Sequence, residues 1–347
     1  MNVAQSTMSV AVYRGEGTVP VESVPTPPLD NPHDVLVEIA YCGICGTDLH
    51  AIVEGSGRDG WGAPGFIGGH EWSGRVAAVG ESVRAWRVGD HVTANSSECG
   101  SCPNCRAGRP SLCRERSFED GPGAFSQYMR RDENALLGVP DGLDMRAASL
   151  AEPLAVALHA VTRSGAKAGQ RALVTGAGPI GTLSVVALHT RGVDDVTVSE
   201  PHPLRRALAA RLGADVLGPE DLAAIPAGST EGRFDVVIET SGNPQAAETA
   251  IDRLVPGGVL VLVGVIMKPG NLDLLRILTD ELVVTGSALY DAGGISEALS
   301  LLAGGEVPVD VLIEPTDIGL GGVERACAEL AAGQLAGKVL VAPNSGA

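Results

Sequence analysis

Alternating apolar and amphipathic segments fill the chain from about Arg171 onward. Apolar runs such as RALVT, DVTVS and FDVVIET predict strands, and the segments between them, such as PLRRALAARLG, repeat their apolar residues at helical spacing. Strands that are apolar on both faces and alternate with helices are typical of a parallel sheet covered on both sides. The pattern predicts a doubly wound α/β domain, which we place at residues 155–292.

A different rhythm characterises the beginning of the chain, where short strands alternate with turns rich in Gly and Pro. The strand-like segments are Val35–Tyr41, Trp72–Val79, Asp90–Ala94 and Ala124–Arg130. They predict an antiparallel β domain. The elements after Gly293 are too small to fold alone, so we expect residues 1–154 and 293–347 to form one discontinuous domain. Met145–Arg163 predicts a helix between the domains, which brings Glu152 to a junction where clefts form.

Length and charge narrow the possible partners. The chain has 347 residues, more than one hydrophobic core usually holds, which agrees with two domains. Its formal net charge of −17 repels nucleic acid and anionic membrane surfaces. The apolar stretch Val259–Met267 is interrupted by Gly264 and is too short to span a bilayer. We therefore expect a small-molecule substrate, and neither a nucleic-acid nor a membrane partner.

Cysteine usage indicates the compartment. The chain has seven cysteines, an odd number, and its first residues lack the basic and apolar regions of a secretion signal. Thiols that stay reduced or bind metal are typical of a reducing compartment. We expect the cytoplasm.

Four of the cysteines crowd one loop in a C-x2-C-x2-C-x7-C array, namely Cys99, Cys102, Cys105 and Cys113. This spacing lets four sulfurs converge on one tetrahedral Zn²⁺, and Gly and Pro residues supply the turns. Unrelated free thiols are the alternative, but such thiols in a polar loop would be prone to oxidation. The array predicts a structural zinc.

A glycine motif opens the predicted α/β domain. Gly176, Gly178 and Gly181 follow the strand RALVT and precede a predicted helix. The first permits a tight turn, the second a close approach to phosphate, and the third close helix packing. The predicted cofactor-binding residues are these glycines together with Pro179, Ile180, Glu200 and Arg205. A simple packing turn is the alternative.

Glu200 bears on the choice of cofactor. It ends the next strand, about 20 residues after the motif, where an acidic side chain binds the adenosine ribose hydroxyls. It also repels a 2′-phosphate, which favours NAD over NADP. Arg205 and Arg206 argue the other way, since either could reach a phosphate.

A second set of metal-binding residue types is scattered along the chain. It consists of Cys45 in CGICGTDLH, His70 and Glu71 in GGHEWSG, and Glu152. A thiolate, an imidazole and a carboxylate leave one zinc position open to water or substrate, as in reactive zinc sites. On spacing alone, a packed or surface His–Glu pair is the more common interpretation. Cys42 and Cys45 form a C-x-x-C pair, but Cys42 lies in an apolar strand and is better explained as core.

These motifs make the chain similar to the zinc-dependent medium-chain alcohol dehydrogenases, and within them to the sorbitol, threonine and butanediol dehydrogenase branch. The resemblance covers essentially the whole chain, through GICGTDLH, GGHEWSGRVAAVG, the four-cysteine loop, AEPLAVALHAV, GAGPIG and AGKVLV. It implies a GroES-like antiparallel β domain and a Rossmann domain. It also implies that Cys45, His70 and Glu152 bind the catalytic zinc, with Glu71 bound directly or through water. The liver-type enzymes carry a cysteine where Glu152 stands.

The resemblance further implies hydride transfer from a secondary alcohol to NAD, with a ketone as product and two zinc ions per chain. Zinc lowers the pKa of the bound hydroxyl group, and the dinucleotide accepts the hydride. Thr47 resembles the family's relay hydroxyl and His50 its outer base. Thr47 could instead be a helix N-cap, and His50 a surface side chain.

The substrate is less well defined by the sequence. Sorbitol dehydrogenases carry an Arg–Tyr pair where this chain has Leu289–Tyr290, which favours a less polar vicinal diol or hydroxyketone, followed by a polyol, a sugar-derived alcohol or an amino alcohol. Trp61 could line the pocket. The apolar strand LVVTGSALY would be an unpaired sheet edge, so a homodimer or homotetramer is expected.

Two rivals differ in testable ways. A zinc-free quinone reductase of the same superfamily would lack Cys45, His70 and the thiol loop. A non-enzymatic NAD-binding module would hold metal in the thiol loop alone.

Overall fold

Two large sheets organise the part of the chain that the structure describes. The computed structural model describes residues 7–53, 55, 62–95, 98–116, 123–226 and 232–345. Strands in these ranges are β1 Thr7–Ala11, β2 Val21–Pro25, β3 Asp34–Gly43, β4 Glu71–Val79, β5 His91–Ala94, β6 Tyr128–Asp132, β7 Leu136–Gly138, β8 Arg171–Thr175, β9 Asp195–Ser199, β10 Asp215–Leu217, β11 Phe234–Glu239, β12 Leu254–Leu262, β13 Val283–Gly286 and β14 Leu340–Val341.

Helices connect and cover these sheets. They are α1 Gly46–Ile52, α2 Pro103–Arg106, α3 Met145–Ala148, α4 Ala151–Ser164, α5 Pro179–Thr190, α6 Pro203–Arg211, α7 Pro219–Ala224, α8 Pro244–Arg253, α9 Leu274–Thr279, α10 Gly294–Ala303, α11 Val309–Leu312 and α12 Val323–Ala331.

The first sheet is antiparallel, as the short-strand pattern predicts. Its order is β14-β3-β4-β5-β7, and β6 pairs with the other part of β3. Val35, Val37 and Ile39 of β3 are fully buried, whereas Glu38 between them is half-buried, which is the alternation of a sheet with one face on a core. β14 pairs with β3, so the end of the chain returns to this sheet.

The second sheet is parallel and has the order β10-β9-β8-β11-β12-β13. The chain adds β9 and β10 on one side of β8, and then adds β11, β12 and β13 on the other side. The switch point of the sheet therefore lies between β8 and β11. In an open α/β sheet, ligands bind beside the carboxyl ends of the strands at such a switch point. The prediction of a doubly wound parallel sheet beside an antiparallel β domain is therefore confirmed, and the exact domain boundaries stay a prediction.

A buried helix joins the two sheets. α4 packs against α5 and α10 on one side and approaches β4 of the antiparallel sheet on the other. The predicted continuous helix is divided into α3 and α4. Pro153 lies in the first turn of α4 and has no N–H to bond to the carbonyl four residues earlier, so the helix restarts there. Glu152 is therefore in the first turn of a helix, at the junction of both sheets.

Candidate active site

One large cavity lies between the two sheets. Its volume is about 910 Å³, in the range of ligand-binding pockets. The antiparallel domain contributes Cys45, Thr47, His70 and Glu152 to its lining, and the parallel sheet contributes residues that follow its strands. The latter are Ile180, Thr240, Val263, Gly264, Val265, Ser287, Ala288, Leu289 and Tyr290.

Three of the four predicted catalytic-metal ligands lie close together, and two of them, Cys45 and His70, line this cavity. Cys45, His70 and Glu71 each offer a ligand atom, and these atoms lie within 4.8 Å of one another. Cys45 precedes α1 and Glu71 is the first residue of β4, so the antiparallel sheet fixes both. Glu152 lines the same cavity but is not part of that close group. Thiolate, imidazole and carboxylate are ligand types that zinc accepts, so the residues present fit this ion.

The charge state of Glu152 is coupled to that of the other predicted ligands. Burial raises the pKa of Glu152 to about 7, an effect that His70 opposes and Glu71 reinforces. Burial lowers the pKa of His70, but the Cys45 thiol and neighbouring carboxyl groups reverse that effect and leave it well above its usual value. These groups therefore influence one another's charge, as closely spaced titratable groups do.

Thr47 and His50 occupy different surroundings, although both lie on α1. The N-cap of α1 is Cys45 and not Thr47, so capping does not explain the threonine. Thr47 lines the cavity, and its buried Oγ1 has no hydrogen-bond partner within the described residues. A buried hydroxyl of this kind is satisfied only when a ligand or water arrives. His50 is half-buried in the last turn of the helix and is not among the residues that line the cavity.

The four loop cysteines converge as their spacing predicts. Sulfur–sulfur distances are 3.5 Å for Cys102–Cys105, 3.6 Å for Cys113–Cys99 and 3.9 Å for Cys99–Cys105. Four sulfurs at zinc–sulfur bond length in a tetrahedron would be roughly 3.8 Å apart. N–H groups of Ser101 and Cys102 bond to Cys99 and lower its pKa to about 6, which favours the thiolate. The geometry fits a closed zinc site.

The glycine motif forms the turn between β8 and α5. Gly176 has a φ of +89°, and a Cβ atom on Gly181 would lie 2.0 Å from the Gly176 carbonyl oxygen. A Cβ on Gly178 would instead point into open space. Pro179 begins α5, and Ile180 faces the cavity. The helix N-terminus therefore has room for a phosphate group beside it, so the residues fit a dinucleotide.

Glu200 and Arg205 lie near this turn but are engaged by protein atoms. The Glu200 carboxylate accepts hydrogen bonds from the N–H groups of Ala177 at 2.7 Å and His202 at 2.8 Å. It thus ties the glycine loop to the end of β9. Arg205 donates to the carbonyl oxygens of Leu330 and Leu335, at 2.8 and 3.5 Å, in the other domain. The structure does not bring its guanidinium to the cavity.

Comparison with known proteins agrees with this geometry. Residues 31–141 match the family model described as alcohol dehydrogenase GroES-like domain, and residues 179–304 match the one described as zinc-binding dehydrogenase. The chain is 36% identical over 286 residues to 2-dehydro-3-deoxy-L-galactonate 5-dehydrogenase of Pseudoalteromonas atlantica, an alignment that covers 81% of this chain and 83% of the relative. The chain belongs to the zinc-dependent alcohol dehydrogenase family.

Two further proteins extend this comparison. Sorbitol dehydrogenase of Bacillus subtilis is 32% identical over 315 residues, an alignment that covers 88% of this chain and 89% of the relative. A solved structure of a protein described as a zinc-binding dehydrogenase from Sinorhizobium meliloti 1021, bound to NADP, superposes with a TM-score of 0.87 at 31% identity. That comparison covers 98% of this chain and all of the other. The predicted fold class and the predicted class of enzyme, an oxidoreductase that acts on CH–OH groups, are confirmed.

Sequence reasoning missed two buried side chains that position the dehydrogenase's predicted metal ligands. Lys338 Nζ lies 2.8 and 2.6 Å from the two oxygens of Glu71 and donates to the Ile44 carbonyl at 3.0 Å. The Asp48 carboxylate accepts from the N–H of Cys45 at 2.9 Å and of Gly69 at 3.2 Å, and so joins both ligand-bearing segments. The available signal was the rarity of lysine in a chain rich in arginine.

A further missed pair supports the glycine turn. Thr240 Oγ1 donates to the carbonyl oxygens of Thr175 and Gly176, at 2.9 and 3.1 Å. The fully buried Glu239 carboxylate accepts from the N–H groups of Ser241 and Gly242, at 2.7 and 3.1 Å. The signal was the E-T-S-G sequence after an apolar strand next to the switch point.

Three remaining expectations concern other parts of the dehydrogenase. Cys42 is fully buried, and burial raises its pKa well above the usual value, which agrees with its interpretation as a core residue. Trp61 lies outside the described residues. Among the described residues, no helix combines the length and the apolar character that membrane crossing requires.

Proposed function

We propose that this dehydrogenase interconverts a polyol or sugar-derived secondary alcohol and its ketone with NAD, and that it uses two zinc ions per chain. The observation that carries the proposal is the close grouping of Cys45, His70 and Glu71. Cys45 and His70 line one cavity together with Thr47, whose hydroxyl is unsatisfied within the described residues, and with Ile180 in the first turn of α5.

We propose the following roles at the reacting centre. Cys45, His70 and Glu152 hold the catalytic zinc. Glu71 is the fourth side chain at the metal, and Lys338 balances its charge. When bound, zinc supplies a Lewis acid that lowers the pKa of a hydroxyl group, and NAD supplies a hydride acceptor. Thr47 Oγ1 accepts the proton of the substrate hydroxyl while its own hydroxyl proton moves on toward His50. His50, one turn further along α1, accepts the proton that Thr47 releases and passes a proton to solvent.

The substrate class is supported by the named relatives. Sorbitol dehydrogenase and 2-dehydro-3-deoxy-L-galactonate 5-dehydrogenase are named for polyhydroxylated compounds. A cavity of about 910 Å³ has room for a compound of that size beside a nicotinamide ring. The less polar vicinal diol suggested by Leu289 is the second candidate, because leucine replaces the arginine of sorbitol dehydrogenases on the cavity wall.

NAD is the proposed cofactor. Glu200 directly follows β9, and the charge of its carboxylate disfavours a 2′-phosphate. Arg205 is engaged by two carbonyl oxygens instead of facing the cavity. The NADP in the Sinorhizobium meliloti structure is the reason to test both cofactors.

We further propose that the protein is a homodimer or homotetramer. β13 is the last strand of the parallel sheet, and Val283 on it is 50% exposed. Leu274, Leu275 and Leu278 on α9 are 75%, 69% and 74% exposed. Exposed leucines beside an open sheet edge fit pairing with a second copy. Sedimentation of the purified protein tests this, and Leu278→Glu would weaken the association.

The reducing cytoplasm is the proposed location. None of the seven cysteines forms a disulfide bond, and five of them are among the eight predicted metal-binding residues. Thiolate zinc sites persist where thiols are kept reduced.

One experiment tests activity, cofactor and substrate class together. Zinc-loaded protein is assayed with a panel of secondary alcohols, vicinal diols and polyols, each with NAD and with NADP. We expect the polyols to be oxidised with NAD at the highest kcat/KM. A protein that binds NAD but oxidises no alcohol, with metal only in the thiol loop, would be the non-enzymatic module.

A further inference from the structure

Four consecutive residues line the cavity directly after β13. They are Ser287, Ala288, Leu289 and Tyr290, and we call them the wall segment. Leu289 has a φ of +55°, in the left-handed region that residues other than glycine rarely adopt. Backbone of this kind persists only where surrounding contacts hold it, and it is found preferentially at functional sites. The contacts on either side of Leu289 therefore decide the shape of this part of the cavity.

Before Leu289, the wall segment is held by the parallel sheet and by α4. The N–H of Ser287 donates to the Leu262 carbonyl oxygen at 2.9 Å, which continues the pairing of β13 with β12. Arg163 near the end of α4 donates through Nε to the Gly286 carbonyl oxygen at 3.2 Å. Both contacts come from the elements next to β13, so the start of the segment is fixed by its own domain.

After Leu289, the chain is held by the thiol loop of the other domain. Ser111 lies between Cys105 and Cys113, and its Oγ donates to Asp291 Oδ1 at 2.6 Å. The N–H of Ala292 makes a longer contact of 3.4 Å with the carbonyl oxygen of Gly108 in the same loop. The other carboxylate oxygen of Asp291 lies 3.8 Å from His159 Nδ1 on α4. The carboxylate thus joins the thiol loop to the end of the wall segment.

A contact that merely joins two domains is the alternative explanation of the Ser111–Asp291 bond. Its place along the chain favours a more specific role, because Asp291 directly follows Tyr290 and is two residues from the strained Leu289. A shift of the carboxylate therefore reaches the cavity within two peptide units. Ser111 and Asp291 are absent from the described residues that line the cavity, so neither touches a ligand there. Any effect on the reaction must pass through the wall segment.

We propose that Ser111 and Asp291 are positioning residues, and that their hydrogen bond holds the wall segment in the shape that fits the alcohol substrate. The inference rests on the proposed function, because it concerns the same cavity and the same oxidation. Leu289 stands where sorbitol dehydrogenases carry an arginine, so this segment bears on substrate selection. The thiol loop then contributes to substrate binding as well as to stability.

The first arm of the test measures KM and kcat for the best alcohol at saturating NAD. Ser111→Ala removes the hydroxyl, and we expect it to raise KM by about 3- to 10-fold, the usual effect of one hydrogen bond. The kcat should change little, because the metal ligands and Thr47 are untouched. Ser300→Ala is the matched control, since it removes a serine hydroxyl that bonds to Ser296 on the exposed face of α10. It should keep the parent's KM.

Variants of Asp291 test whether the bond itself is responsible. Asp291→Asn keeps an oxygen that can accept from Ser111 and should retain most of the parent's KM. Asp291→Ala should raise KM as Ser111→Ala does. The double variant Ser111→Ala/Asp291→Ala should be no worse than Asp291→Ala alone, because two residues that act through one bond are not additive.

The second arm measures hydrogen exchange by mass spectrometry and needs no substrate. In Ser111→Ala, we expect the amides of residues 286–292 to exchange about 3- to 10-fold faster than in the parent, because one of the contacts that keep them closed is lost. The amides of β11, which lies two strands away from β13 in the same sheet, should exchange as in the parent. Such a local change distinguishes positioning of the wall segment from a general loss of stability.

The outcomes separate this inference from the proposed function. An unchanged KM and unchanged exchange in Ser111→Ala, a fall in kcat alone, or an equal rise of KM in Asp291→Asn and Asp291→Ala overturns the positioning role and leaves the dehydrogenase activity standing. If Ser111→Ala does not fold, the two Asp291 variants decide by the same criteria. If the parent oxidises no alcohol, the proposed function is wrong, and the positioning role is wrong with it.

Discussion

Lys338 and Glu71 form a fully buried ion pair directly beside the proposed catalytic metal. The ammonium nitrogen lies 2.6 Å from one carboxylate oxygen, and the two side chains are 2% and 0% exposed. Without Lys338, the site would hold a thiolate and two carboxylates against one divalent cation. The pair therefore limits the negative charge at the metal and fixes the orientation of Glu71.

Replacing Lys338 with Met leaves the Glu71 carboxylate buried without its counter-ion. We expect a loss of about 3–5 kcal/mol in the free energy of unfolding, which urea denaturation measures. The double variant Lys338→Met/Glu71→Gln should recover most of this loss, because it removes both charges. Lys167→Met, at an exposed lysine, is the control and should change stability by less than about 0.5 kcal/mol. A Lys338→Met protein as stable as the parent contradicts the assigned pair.

Thr47 is expected to act through its hydroxyl group. Thr47→Val keeps the shape and removes the hydroxyl, so kcat should fall by about 100-fold or more, the usual contribution of a positioned proton-transfer group. Zinc content and melting temperature should not change. Thr47→Ser retains the hydroxyl and should keep most of the activity. Full activity in the valine variant would remove Thr47 from the mechanism.

The two metal sites and the glycine turn differ in how far the sequence alone predicts them. The four thiols lie within a 15-residue segment, and the three glycines within six residues, so their spacing fixes their geometry. Lys338 and Glu71 are 267 positions apart, and they meet because β14 and β4 both pair with the end of β3. No local pattern encodes such a contact.

The break in the helix before Glu152 could not be predicted from the sequence pattern. The predicted helix through Glu152 is interrupted because Pro153 cannot donate a backbone hydrogen bond, and the sequence gives no register across that break. Glu200 and Arg205 illustrate the same difficulty at the nucleotide site. Their residue types suit a dinucleotide, but their actual partners are backbone groups of Ala177, His202, Leu330 and Leu335.

Metal removal at the thiol loop has a specific expected result. Cys105→Ser should reduce the zinc content by one ion per chain and lower the melting temperature, because a structural zinc contributes directly to folding. Cys327→Ala is the control, since Cys327 is a buried core residue outside both metal sites. It should leave the zinc content unchanged. An unaltered zinc content in Cys105→Ser would mean that the loop holds no zinc.

Two glycines in one turn should respond differently to a single methyl group. Gly181→Ala places its Cβ 2.0 Å from the Gly176 carbonyl oxygen, a backbone atom, so we expect a loss of about 1–3 kcal/mol in stability. The Cβ atom of Gly178→Ala would have no protein atom within 4 Å, so this variant should be as stable as the parent. It should weaken NAD binding, because the methyl group stands where the phosphate approaches. Calorimetric titration with NAD and thermal melts of both variants separate the two effects, and equal losses of stability would argue against this assignment.

The central claim is that Cys45, His70 and Glu152 hold a zinc ion on which alcohol oxidation depends. Its most direct test is the zinc content per chain of the parent and of Cys45→Ala, measured by plasma mass spectrometry on the same preparations that are assayed with polyols and NAD. The account predicts two zinc ions and activity in the parent, and one zinc ion and no activity in the variant. Equal zinc content in both proteins, or full polyol oxidation by the variant, would contradict it.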